Sequence, residues 1–286
     1  MEMLRVKKKL FFRIAHDNKE YEKNTPPNEE IVKKLREKGV DIYTFLERTW
    51  CCPISNPLDS WIRTDDNVAM LKITSLDAWL DSVGKKTRNM IRRAEKSNVQ
   101  VSVVALTPNL SESIWKIYNE TPFRQGRAFP HYGESLKSVS DNMAMPQNST
   151  FIGAYHGGEL VGFIQIIYGD NIAIISQILS LQRHWDKAPN NALIAKAVEV
   201  CAGNGSHWLM YGRIGNHPSL DKFKESNGFK KYPIARYYVP ITWKGKLALR
   251  TGLHREFKDV LPQLLKNPLI PVFNWISRNK TLKFRR

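Results

Sequence analysis

The sequence is short of acidic residues and of cysteine, and it holds no long apolar run. Only 27 Asp and Glu stand against 44 Lys and Arg, leaving a formal net charge of +17. That imbalance favours an anionic partner: nucleic acid, lipid headgroups or a phosphate-rich substrate. The three cysteines, Cys51, Cys52 and Cys201, are odd in number and two are adjacent, a poor disulfide framework that points to a reducing compartment. No Cys or His pair has zinc-ligand spacing, so no metal is expected. The N-terminal stretch MEMLRVKKKLFFRIAHD is basic but lacks the apolar core of a signal peptide. The most apolar late segment, Leu261 to Ile276, carries Lys266 and is broken by Pro262, Pro268 and Pro271. It offers about half of the ~20 apolar residues a spanning helix needs. These absences read as a cytoplasmic protein, with room for peripheral contact at the inner face of an anionic membrane.

With 286 residues, 42% of them hydrophobic, the chain can bury one or two cores. Pro26-Pro27-Asn28 precedes a charged helix over 29–37 that stops at Gly39. Residues 68–73 read as a strand, and Ser75 caps a short helix. KKTRNMIRRAEKS (Lys85 to Ser97) places Met90, Ile91 and Ala94 on one side of a helix and six basic residues around the rest. A strand over 99–104, a helix from Ser111 and a second helix from about Glu134 follow. Three strands come next, over 151–155, 160–168 and 172–179, joined by tight turns at His156-Gly157-Gly158-Glu159 and Tyr168-Gly169-Asp170-Asn171. The middle strand is apolar on both faces, so helices cover both sides of its sheet. A loop over 182–190, a helix over 191–202, a strand over 208–211, a helix over 219–227 and a strand over 234–241 complete the order. Meander strands followed by a β-α-β-α-β ending make a mixed α/β sheet with at least one parallel crossover.

Three strings give that order a resemblance. KKTRNMIRRAEKSNVQV (Lys85 to Val101), NNALIAKAVEVCAGNGSHWLMYGR (Asn190 to Arg213) and LDKFKESNGF (Leu220 to Phe229) resemble segments of the FemAB-like branch of the GNAT-fold acyltransferases. The likeness covers about Lys85 to Ile241. It implies an α/β GNAT fold over 83–242, an N-terminal lobe over 1–82 that is a candidate for a reduced second GNAT copy, and a basic C-terminal extension over 243–286. It also implies an enzyme, an N-acyltransferase that moves an acyl or aminoacyl group to an amine of a cell-envelope or lipid-linked saccharide precursor. In that fold two parallel strands splay, and a backbone N–H at the splay can stabilise the acyl oxyanion. The resemblance places Ser176 and Gln177 there. Phe223 and Lys224 match the family's Phe-Lys segment, which puts Phe223 against substrate and Lys224 near the channel, where it offsets developing negative charge.

The departure lies at RHWDKAPNNA (Arg183 to Ala192), which has no glycine where coenzyme A enzymes hold the pyrophosphate. Lys187, Asn190 and Asn191 are the candidate phosphate ligands at this helix start, and a simple helix cap explains the asparagines equally well. The donor therefore stays open between acetyl-CoA or another acyl-CoA and aminoacyl-tRNA. For the acceptor, the loop Glu120 to Gly133 collects Arg124, Gln125, Arg127, His131 and Tyr132, with Arg forks suited to a carboxylate or phosphate. His131 and Glu120 are the candidate bases for the incoming ammonium. A competing reading is a GNAT-like module without catalysis that binds tRNA or an anionic membrane. The basic helix and the Leu-rich, Arg-rich tail from Trp243 onwards serve that reading, although packing on the N-terminal lobe also explains the tail.

Overall fold

The computed structural model describes residues 4–17, 26–47, 60–124, 126–169, 171–215 and 217–255. Cys51, Cys52, Gln125 and the tail beyond Arg255, with its Leu261–Ile276 segment, lie outside the described residues. In chain order the elements are β1 (Leu4–Lys9), β2 (Phe12–Asp17), α1 (Glu29–Glu37), β3 (Ile42–Glu47), β4 (Ile62–Lys72), α2 (Leu76–Ser82), α3 (Lys85–Lys96), β5 (Gln100–Val104) and α4 (Pro108–Tyr118). A ribbon of β6 (Phe123–Arg124) and β7 (Arg127–Ala128) leads to α5 (Leu136–Ala144), β8 (Ser149–His156), β9 (Glu159–Tyr168) and β10 (Ile172–Ser180). A 3-10 helix (Gln182–Lys187), α6 (Pro189–Gly203), β11 (Trp208–Met210), α7 (Pro218–Ser226), β12 (Lys230–Pro240) and α8 (Trp243–Arg250) complete the chain.

Of the described residues, those up to Thr64 and from Ala235 onwards form one compact unit, and Asp65–Ile234 form the other. The division expected at 82 and 242 differs from this one for a packing reason. Trp79 and Val83 join the core of the second unit, whereas Ala248 and Leu249 of α8 join that of the first. In the first unit the strands run β1-β2-β3-β12. β2 and β3 are parallel, and the β1–β2 and β3–β12 pairs are antiparallel. β3 is buried at every position, because Tyr43 and Phe45 pack with Leu35 of α1 while Ile42 packs with Phe12 and α8. Gly245 lets α8 lie on the strand end: a Cβ there would come within 1.9 Å of the Asp41 carbonyl oxygen.

The strands of the second unit run β4-β11-β10-β9-β8-β5, with β10 and β11 parallel and the other pairs antiparallel. This is the mixed sheet that the element order implies, and α6 is the crossover between its two parallel strands. β9 is buried along nearly its whole length. On one face Val161, Ile164 and Ile166 meet Leu193, Ala197 and Cys201 of α6 with Ile91 and Ala94 of α3; on the other Leu160 and Phe163 meet Ile114, Ile117 and Val139 of α4 and α5. Burial pushes the Cys201 thiol up to about 12, so it acts as a small apolar side chain here.

Local chemistry moves several boundaries. α4 begins at Pro108, not Ser111, because the Thr107 hydroxyl accepts from Leu110 N–H at 3.2 Å and proline suits the first helical position. α5 begins after the Ser135 cap, which leaves His131 and Glu134 in the loop. The strands β1, β2 and β3 occupy a stretch in which the sequence suggests none. Among the described residues no helix is long and apolar enough to cross a membrane, and no group of three or more His, Cys, Asp or Glu could hold a metal ion.

Candidate functional site

The site is built where β10 leaves β11. The two strands pair in register only from Ile172 to Ile174, and β11 ends at Met210. On its other edge, β10 pairs Ile175 with Ile166 and then Gln177 with Gln165, so Ser176 is an extra, bulged residue. A bulge bends its strand and raises the local twist, which opens the parallel pair. A cavity of about 420 Å³ lies at the opening. Its wall takes Ile178, Leu179 and Ser180 from β10, Tyr211 from the end of β11, and Leu220 and Phe223 from α7. Met90, Arg124, Phe129, Trp185, Ser219 and the start of α6 (Ala188–Asn191) complete it.

α6 is fifteen residues long and brings its positive dipole end to this cavity. Its entry is unusual. Ala188 sits in the left-handed region at φ 55°, and Pro189 follows. The Ala188 N–H donates to Trp185 O at 3.1 Å, the Asn191 N–H donates to Ala188 O at 3.1 Å, and proline has no N–H. Few amides therefore remain for a pyrophosphate of the kind the glycine-rich turn serves. Asn190 Oδ1 is buried without a partner, and Asn191 Nδ2 donates to Asn227 Oδ1 at 3.4 Å. Lys187 lies 3.3 Å from the Asp186 carboxylate and is not part of the wall.

Behind the wall sits Lys224, 3% exposed. Its Nζ donates to Arg213 O at 2.7 Å and lies 4.4 Å from the centre of the Tyr211 ring. Burial lowers its pKa to about 8, with Asp221 opposing the fall. Two bonds hold α7 in this position: Trp79 Nε1–H donates to Asn227 O at 3.0 Å, and the Thr87 hydroxyl donates to Ser226 O at 2.7 Å. Burial also raises the Tyr211 phenol far above its ordinary range, so it stays neutral.

The acceptor loop divides into an inward and an outward set. The inward set contains Arg124, whose fork donates to Ser180 O and Ile117 O at 2.7 Å each and to Glu120 Oε2 at 3.3 Å. Its guanidinium also lies 4.8 Å over Phe129, and its buried Nε has no partner. Glu120 accepts from the N–H groups of Gln182 at 2.8 Å and Arg183 at 3.3 Å, so it caps the 3-10 helix. Read from the sequence, Arg124 meets a substrate anion and Glu120 takes a proton. In the structure both are spent on the backbone around the end of β10.

His131 packs its ring on Tyr118 at 4.6 Å, and its Nδ1 lies 2.7 Å from Glu134 Oε1. The Tyr118 hydroxyl in turn donates to Gln177 beside the bulge. Burial raises the Tyr118 phenol well above its usual range, against the bond to Gln177. This chain from Glu134 to the bulge escapes sequence reasoning, because Tyr118 reads as one more apolar-face residue of a helix. The outward set is Arg127 and Tyr132, both exposed and off the cavity wall, and Ser176 is exposed as well. Met90, Phe129 and Trp185 on the wall were not expected from the sequence; each carries only an ordinary apolar signal.

No family model matches the sequence, and the search of curated proteins finds no match. Solved structures do match. The C-terminal domain of a protein described as a lysylphosphatidylglycerol synthetase, from Agrobacterium fabrum, is 13% identical over 87% of this chain and 84% of that one, with a TM-score of 0.57. L-PGS from Bacillus licheniformis is 13% identical over 88% and 86%, with a TM-score of 0.55. FemX is 10% identical over 81% and 83%, with a TM-score of 0.51. These likenesses are likenesses of fold, and the chain has the GNAT fold.

Proposed function

We propose that the chain is an N-acyltransferase that moves an acyl or aminoacyl group to an amine, in a cell-envelope or lipid-linked saccharide precursor. The observation that carries this reading is the opening between β10 and β11, with the bulge at Ser176, a cavity at its mouth and a buried lysine behind the wall. Such an opening admits the acyl group of a donor and leaves unpaired backbone groups of β10 at its carbonyl. The amine nitrogen attacks that carbonyl carbon and the N–C bond forms. The bond to the donor's leaving oxygen or sulfur then breaks, and the leaving group departs with the proton that the amine gives up. Lys224 offsets the negative charge that gathers in between.

Of the two donors, the start of α6 favours an aminoacyl ester carried by tRNA over a coenzyme A thioester. Ala188, Pro189 and Asn191 have no free N–H for a pyrophosphate. Beside the cavity, Met90 belongs to α3, whose Lys85, Lys86, Arg92, Arg93 and Lys96 are all exposed and suit a phosphate backbone. The test is a transfer assay with radiolabelled aminoacyl-tRNA and, separately, acetyl-CoA, each given a pool of amino sugars and envelope precursors. Acceptor-dependent loss of label from tRNA without thiol release from coenzyme A supports the reading. Thiol release alone assigns the thioester donor, and no transfer from either removes catalysis.

Arg127 and Tyr132 face outward on the loop that also supplies Arg124 and Phe129 to the wall, and they are our candidates for an anionic group on the acceptor. Arg127→Ala is expected to raise the acceptor KM about tenfold, the value of one charge-assisted contact, with donor affinity unchanged. Steady-state kinetics against each substrate in turn checks this, and equal KM values for both proteins would contradict it.

A further inference from the structure

The first unit carries a surface that its own fold does not explain. β1 and β2 form a hairpin with Lys9 opposite Phe12, so Leu10 and Phe11 are the two turn residues. Turns of this length call for Asn, Asp or Gly, which tolerate positive φ. Here the first position is a leucine at φ 50°, 67% exposed, and the second a phenylalanine 48% exposed. A leucine held in the left-handed region with its side chain in water is unfavourable on both counts, and strain of this kind clusters at functional places. The strand leading to the tip is exposed on both faces and includes Val6 at 47%.

A second element adjoins the tip. Lys9 Nζ donates to His254 O at 3.0 Å, and Phe12, in edge contact with Phe11, packs on Ala248 and Leu249 of α8. The opposite face of α8 exposes Trp243 at 72% and Leu247 at 46%, with Lys246 and Arg250 beside them, and Leu253 follows in the turn. Residues 4–13 and 243–255 contain five and four Lys or Arg and not one Asp or Glu. Asp41, packed beneath, is buried and accepts from the Arg13 N–H at 2.9 Å and the Thr242 hydroxyl at 2.5 Å.

We propose that the β1–β2 tip and the exposed face of α8 dock the chain on an anionic lipid bilayer, with Leu10 and Phe11 inserted and the surrounding cations on lipid headgroups. Apolar side chains set among cations are the pattern of an interfacial anchor. A nucleic acid would use the cations and stack on Phe11 or Trp243, but it offers nothing to Val6, Leu10, Leu247 and Leu253. This surface belongs to the first unit, and the proposal does not depend on which donor is used.

The test is sedimentation of the full chain with vesicles of phosphatidylcholine alone and of phosphatidylcholine mixed with phosphatidylglycerol, with tRNA as a third probe. The variant is Leu10→Gly with Phe11→Ser. Glycine relieves the left-handed strain, so this variant is expected to melt no lower than wild type, which separates docking from folding. Wild type is expected on the mixed vesicles and not on phosphatidylcholine, and the variant is expected to lose at least about tenfold in partitioning. Equal partitioning of the two proteins would overturn the proposal, as would equal binding to both vesicle types. Binding to tRNA that the variant weakens, without vesicle binding, would assign the surface to nucleic acid instead.

Discussion

Replacing Lys224 by methionine is expected to lower turnover about a hundredfold while leaving the fold close to intact, the scale for losing one preorganised charge near a developing oxyanion. Two opposing effects act on stability. The variant loses the charge-assisted bond to Arg213 O, worth about 2 kcal/mol. It also removes the cost of holding an ammonium in a site 3% exposed, so the melting temperature is expected to stay within a few degrees. The pH dependence sharpens the test. The folded pKa of about 8 lies below the ordinary 10.5, so between those values the unfolded chain binds more protons than the folded one. Stability contributed by this group therefore rises with pH from about 8, while the activity that needs the ammonium falls over the same window. Measured as the difference between wild type and Lys224→Met, the two trends should run in opposite directions. A variant that keeps full turnover, or a wild type whose activity is flat between pH 7 and about 9.5, would remove Lys224 from the chemistry.

Arg124→Met is expected to act through the scaffold. The guanidinium ties the end of β10 to the end of α4 and neutralises Glu120, with the two side chains only 10% and 13% exposed. Removing one partner of a buried pair leaves the other uncompensated, and about 3 kcal/mol is the expected loss. For a chain of this size that is roughly 6 to 12 °C in melting temperature. Arg124→Lys is expected to recover little of it, since a single ammonium cannot reach both carbonyls and the carboxylate in the geometry of the fork. Donor affinity should fall with the Met variant because Ser180 on the wall loses its tether. Thermal melts of the three proteins decide the matter: an unchanged melting temperature would return Arg124 to the list of substrate contacts.

The second unit was largely legible because its elements carry their own punctuation. α3 has an apolar stripe and stops at Asn98, which takes the left-handed conformation at φ 56°. β8, β9 and β10 are apolar runs set off from one another by Gly157, Gly158 and Gly169, and α7 stops at Gly228, φ 87°. The first three strands have no such signals. β1 is an edge strand with no buried face, and β3 is covered on both sides, so neither alternates; β3 pairs with residues 235–240, nearly two hundred positions away. The site was legible in position more than in role. Arg124 is on the cavity wall and Glu120 is bonded to it, yet the groups that claim them, Ser180 O and the N–H groups of Gln182 and Arg183, come from some sixty residues later. Spacing along a loop reports which charges are close to each other, and not which backbone groups the fold will bring to them.

The central claim is that the donor's acyl group enters the cavity between β10 and β11. The measurement that tests it most directly is a binding titration of wild type and Ser219→Trp, with aminoacyl-tRNA and with acetyl-CoA. Ser219 is exposed at the cavity rim on the first turn of α7, so an indole there fills the mouth without entering the core. Saturable binding of one donor by wild type, weakened at least about tenfold by the indole, is the expected result. Unaltered donor affinity in the plugged variant, or no binding of either donor to wild type, would contradict it.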